Sequence, residues 1–358
     1  VNDFDAAFDN AVKEHRFSLV NFHIRALWQE IVEIFTGGPE YSIDDFETVI
    51  NYFQSQEKDE ESRRKVEAIL EAQVKEAYRE AGIYNPFPFQ KIQFTFPPVN
   101  FHLDAPPLLI VVSPRDRIER YHEALLVPDM SLESIEALEN TIEQMGYSAL
   151  VIRLGGVATY PAYVSNNTSL KNAIEIGAEE WMHQYLAFTP LGFQYVLKLI
   201  GINKDKDIVT INETVAGIVS SEISNNVYQR YYITDMEKDL ENEENQEKRS
   251  EDAAVFDFNA TMREIRLKVD AMLAAGEIIQ AEQYMAERRD YLEANGYYIR
   301  KLNQAYFAFH GSYADSPISV DPIGEKLDIL RARSDNLQSF VSMVSSIKNI
   351  KDLDALLP

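Results

Sequence analysis

The spacing of apolar residues changes character along this 358-residue chain, and those changes restrict the fold more than any other feature. Over residues 4–35, Phe8, Val12, Leu19, Phe22, Leu27, Ile31 and Ile34 recur at helical intervals until Gly37-Gly38. A second helix is expected after Ser42, with Asp45 completing a capping-box-like pair and Phe46, Ile50 and Phe53 on its apolar side. A third runs through Val66, Ile69, Leu70, Val74 and Tyr78 to Gly82. Between Pro86 and Pro128 the period shortens: Ile92, Phe94 and Phe96 alternate, and the unbroken run at 108–112 reads as a buried strand. Ser131 then opens a helix carrying Ile135, Leu138, Ile142 and Met145, Gly146 closes it, and 149–154 is a strand that ends in Gly155-Gly156.

Beyond a Ser/Asn-rich turn at 165–169, helical periodicity returns and holds almost to the C-terminus. Helices are expected at 170–188, at 190–200 and from near Asn212. An αα-hairpin, 262–273 with 278–292, turns at Ala275-Gly276, and further helices are expected at 297–309 and 322–347. The run 235–252 is dense in charge and nearly free of apolar residues, so it reads as a solvated helix extension or a linker. The expected fold is therefore α+β and predominantly helical, with a small mixed sheet and a helical C-terminal half. Along the chain this gives a helical segment at 1–85, an α+β region at 86–235, a charged connection at 236–254 and a helical region at 255–358.

Composition narrows the chemistry. With 34 Lys+Arg against 58 Asp+Glu the formal net charge is −24, which argues against nucleic acid or an anionic membrane as partner, since both need clustered cations. Cysteine is absent, which removes disulfides, thiolate metal sites and Cys nucleophiles. Any metal must then be held by carboxylates and by the six histidines, His15, His23, His102, His122, His183 and His310. No apolar run approaches the roughly 18 residues of a membrane span, so no transmembrane segment is expected.

One constellation carries chemistry. Glu179-Glu180-Trp181-Met182-His183-Gln184-Tyr185 falls inside an expected helix, and Asn212-Glu213-Thr214-Val215-Ala216 opens a later one. Positions 179 and 183 are i and i+4, so both side chains leave one helical face toward a common point, while Glu180 is rotated about 100° from Glu179. Together the two segments resemble the gluzincin metallopeptidases, in which H-E-x-x-H on one helix is completed by a Glu in an N-E-x-x-A context on the next. Asn212-Glu213-x-x-Ala216 matches the second motif, and His183-Gln184-Tyr185 resembles the H-Q-aromatic continuation of the aminopeptidase branch. The resemblance implies a metal-dependent peptidase acting on peptide or protein substrates. In it Glu179, His183 and Glu213 are the metal ligands, zinc is the expected ion, and Glu180 is the general base.

The departure is Glu179, where the family has His. Two carboxylates neutralise a divalent ion, weaken it as a Lewis acid and admit harder ions such as Mn, so the expected consequence is reduced or lost hydrolysis. Upstream, 155–164 stands where the family's edge strand binds the substrate backbone ahead of the active-site helix. It offers Gly156, Val157, Ala158 and Tyr160 as substrate-binding positions. His310, in an aromatic stretch beside Gly311, is the candidate partner for the oxyanion, with Tyr313 behind it. Two alternatives stand beside the peptidase: a degenerate, non-catalytic protein that keeps the fold for binding or assembly, and a helical interaction protein in which the motif is coincidental. A second Glu-x-x-His, Glu119 to His122, raises a di-metal bundle, which its position between Pro114 and Pro128 disfavours. The acidity, the first residue Val1 and the sequestration a peptidase requires lean toward an extracytoplasmic setting with a leader or anchor ahead of the sequence.

Overall fold

The structure, a computed structural model, describes residues 3–17, 42–87, 94–199, 203, 205, 207–233, 256–311 and 322–357. The expected α+β, mostly helical class is what it shows, with two three-stranded sheets. Two compact units each draw on three separated stretches of chain. One comprises residues 1–18, 107–154 and 254–322, the other 19–106, 155–253 and 323–358. The consecutive segments read from the sequence are thus shared out between the two.

The first unit is built on an antiparallel sheet. Its central strand, Leu108–Pro114, lies between His122–Leu126 and Tyr147–Arg153, with Ile110 opposite both Ala124 and Val151. The central strand is buried along its whole length because both faces are covered. Leu108, Ile110 and Val112 pack with Phe4, Phe8 and Val12 of helix α1 (Asp3–Val12) and with Ile135, Leu138 and Ile142 of the helix Leu132–Gln144. Leu109 and Val111, one residue out of phase, pack instead with Ala305 and Phe309. The expected hairpin is present as Phe258–Ala274 and Ile278–Ala294, joined where Gly276 takes φ 78°. There Glu277 N–H returns to Met272 O at 2.9 Å, closing the first helix.

The second unit positions the candidate site. Its sheet has the order Phe101–Asp104 (β1), Ala162–Ser165 (β6), Gly156–Val157 (β5); β6 runs parallel to β1 and antiparallel to β5, which lies at the edge. Helices α2 (Phe46–Gln54), α3 (Glu60–Glu80), α5 (Leu170–Leu186), α6 (Pro190–Leu199) and α7 (Asp207–Tyr231) follow in chain order, α4 being Leu132–Gln144 of the first unit. Helix α7 is buried on almost every side from Ile208 to Ser220 and on one face as far as Val227, packed by α3, α5 and α6 and by the helix Ile323–Ala332. Three of its buried hydroxyls are satisfied within the helix: Thr214 donates to Thr210 O at 2.7 Å, Ser220 to Gly217 O at 3.0 Å and Ser224 to Ser221 O at 3.1 Å. No helix among the described residues is long and apolar enough to cross a membrane.

Several expected elements change their bounds. Helix α1 stops at Val12 because the following chain pairs with the sheet, Phe17 N–H donating to Leu125 O at 2.8 Å. Asp45 is itself the cap of α2, accepting from Thr48 N, in place of the Ser42 start. Phe94 and Phe96 are not in a strand; they precede Pro97 and Pro98, which cannot donate to a ladder. The helix expected at 297–309 begins only at Gln304, where Asn303 caps it. That expected at 322–347 breaks after Ala332 and restarts behind the cap Asn336 as Leu337–Val344. The remainder of the first helix with His23, Gly37-Gly38, Ile92, the charged run 235–252 and Tyr313 lie outside the described residues.

Candidate metal centre

Helix α5 starts from a Ser169 cap, whose hydroxyl accepts from Asn172 N at 3.2 Å, and its rotation is held from behind. Trp181 Nε1 donates to Pro97 O at 2.9 Å, Tyr185 OH to Asn85 O at 3.2 Å, and Tyr78 OH of α3 to Ala178 O at 2.8 Å. Trp181 and Tyr185 lie on the buried side of the helix, so Glu179, Glu180 and His183 are turned the other way, toward β5 and α7.

There the structure brings Glu179, His183 and Glu213 together. One ligand atom from each lies within 4.8 Å of the others, the one such group of three among the described residues. His183 Nε2 stands 3.6 Å from Glu213 Oε2. Two donors bound at about 2.1 Å to a tetrahedral zinc-sized ion stand about 3.4 Å apart, so this pair fits a shared ion. The other ring nitrogen, Nδ1, is 2.8 Å from Asn212 Oδ1. An amide oxygen only accepts, so Nδ1 donates to it, and Nε2 is the ring nitrogen turned toward Glu213. Where the hydroxyls of α7 bond within their own helix, Asn212 and Glu213 reach across to α5 and α6. Asn212 is 1% exposed, and its Nδ2 has no hydrogen-bond partner among the described residues.

A residue the sequence did not single out completes the arrangement. Tyr195 of α6 donates its phenol to Glu213 Oε1 at 2.9 Å, which leaves Oε2 as the oxygen facing His183. Its ring lies nearly parallel to the His183 imidazole, centroids 6.1 Å apart and 18° between planes. Nothing in the local pattern marks Tyr195 among 19 tyrosines; only its placement one helix beyond His183 hints at it.

Glu180 is buried beside these three residues, and burial, followed by the charges of Glu179 and Glu213, holds its carboxyl well above the usual carboxylate range. It lies against the edge strand. A Cβ on Gly156 would come within 2.5 Å of Glu180 Oε1 and 2.8 Å of Tyr163 O, so the approach needs glycine. Gln184 Nε2 donates to Thr159 O and ties the chain after β5 to the same helix. Of the proposed substrate positions, Gly156 and Val157 form β5, and Ala158 and Tyr160 follow in the turn before β6, with Ala158 exposed.

His310 belongs to the first unit, in the last turn of the helix Gln304–His310, against Tyr306 at 4.3 Å and Phe309 at 5.1 Å. Burial lowers its pKa to about 4, so it is neutral near pH 7. In the second Glu-x-x-His, Glu119 pairs with Arg117 at 2.6 Å and His122 with Asp5 at 3.0 Å, so the two face different partners. His102 stands 3.2 Å from Glu67.

Comparison with protein-family models, with curated proteins and with solved structures found no match to this chain.

Proposed function

We propose that the protein is a metal-dependent peptidase of gluzincin type, with Glu179, His183 and Glu213 as ligands and Glu180 as the general base. The observation that carries the reading is the convergence of those three donors from two helices, with the Glu180 carboxyl between them and an edge strand. A divalent ion held there would polarise a peptide carbonyl and the attacking water. The chain's own groups supply the rest. Asn212 orients the His183 ring from Nδ1, and Tyr195 presents one oxygen of Glu213. Glu180, beside these residues and the edge strand, would receive the proton of the attacking water at its carboxylate. The edge of β5 offers backbone groups for an extended peptide beside that carboxylate.

The direct test is elemental analysis of the protein purified without added metal, together with peptide hydrolysis by the intact chain and by Glu180→Gln. The expected result is one divalent transition-metal ion per chain, with hydrolysis abolished in the variant and metal content retained. Absence of a stoichiometric ion ends the enzyme reading. Metal without hydrolysis in the intact chain favours the second reading, a binding or assembly protein that keeps the site, for which the charge-neutralising pair Glu179 and Glu213 is the specific support.

A further inference from the structure

Resting on the metal-centre reading above, we propose that Glu179 makes this a manganese-class site, one whose preference for Zn2+ over Mn2+ is largely erased by the donor set. The protein donors converge as two carboxylates and a single imidazole. Imidazole favours zinc and its neighbours, whereas carboxylates suit harder ions such as Mn2+. Intrinsic affinity otherwise rises from manganese toward zinc at almost any site of nitrogen and oxygen donors, so ligand type acts by changing the gap between them. Here only Nε2 of His183 is left on the zinc side of that balance.

One feature of the surroundings pushes the same way. Tyr195 engages Oε1 of Glu213 at 2.9 Å, so that carboxylate offers one oxygen and the number of protein donors stays small. A small set of oxygen-rich donors leaves positions for water, which suits an ion content with six ligands.

The experiment strips the full chain with a chelator and titrates it with MnCl2 and with ZnCl2 against an indicator, with electron paramagnetic resonance following free Mn2+. Wild type is expected to bind one Mn2+ per chain. Glu179→His is expected to raise the ratio of zinc to manganese affinity by about 100-fold, through weaker Mn2+ and tighter Zn2+ binding together. A ratio that stays within about threefold of wild type overturns the proposal while leaving a metal site in place. If circular dichroism shows that Glu179→His does not fold, Glu179→Gln is read in its stead. It should lose more affinity for Mn2+ than for Zn2+, and equal losses overturn the proposal. Failure of wild type to bind either ion at one per chain overturns the metal-centre reading itself, and this inference with it.

Discussion

Replacing Tyr195 by Phe removes one oxygen and keeps the ring, so it isolates the hydrogen bond to Glu213 from the stacking on His183. The bond is 2.9 Å long, and its acceptor belongs to a residue only 7% exposed, where water cannot readily take the donor's place. A hydrogen bond to a charged group contributes about 1.5–3 kcal/mol. Loss of a partner behind a metal ligand weakens binding about 10- to 100-fold, which is about 1.4–2.8 kcal/mol, so the two ways of reckoning agree. We expect Tyr195→Phe to bind its ion about 30-fold more weakly than wild type, measured by competition with a chelating indicator. Tyr195→Leu should fall further, because His183 then loses its parallel neighbour as well. If Tyr195→Phe binds within about twofold of wild type, the phenol does not orient Glu213 and the idea that α6 completes the centre is wrong.

Other perturbations probe the surroundings. Gly156→Ala should cost about 1–3 kcal/mol in chemical denaturation, since its Cβ would meet Glu180 Oε1 and Ile176 Cγ2 at 2.5 Å; an unchanged midpoint would show that the edge strand is not held against α5. In the first unit, Glu139 is 1% exposed and accepts from Arg300 at 2.5 Å and from Val151 N at 2.7 Å. Arg300→Met should therefore destabilise by about 2–3 kcal/mol, with Lys301 at 3.3 Å limiting the loss; a neutral result would mean that Lys301 suffices alone. The native pKa of about 4 at His310 lies below the ordinary value of 6.5, so the unfolded chain binds more protons between them. Stability from this group is thus present above pH 6.5 and is lost as pH falls toward 4, by about 3 kcal/mol in all. His310→Phe should flatten that part of the profile, and equal slopes for the two proteins would refute the assignment.

How far the centre could be read in advance varies from residue to residue. Glu179 and His183 share a helical face by spacing alone, and Glu213 follows from its motif; both are local facts that a linear pattern can carry. Gly156 was readable as the end of a strand, but the reason for glycine there is that an added Cβ would fall 2.5 Å from Glu180 Oε1, a proximity that arises only when β5 is laid on α5. The raised pKa of Glu180 likewise depends on burial and on Glu213 from another helix, neither of which periodicity encodes. Among the elements, the hairpin of Phe258–Ala274 and Ile278–Ala294 was the most legible, because helical spacing and a glycine at φ 78° agree there. The breaks behind Asn303 and Asn336 were less so, since capping side chains interrupt an apolar pattern that otherwise continues.

Local patterning was enough to set most of the helices and the buried strand at Leu108–Pro114, because each depends on neighbours a few residues apart. It also put Glu179 and His183 on one helical face. Assembly into space decided the remainder. Two units were each assembled from stretches far apart in the chain, and Tyr195 and Asn212 came to hydrogen-bond Glu213 and His183 on other helices. The edge strand was brought against Glu180 in the same way. The physical reason is that burial, hydrogen bonding across elements and the sum of nearby charges are properties of position in space, and none is a function of spacing along the chain.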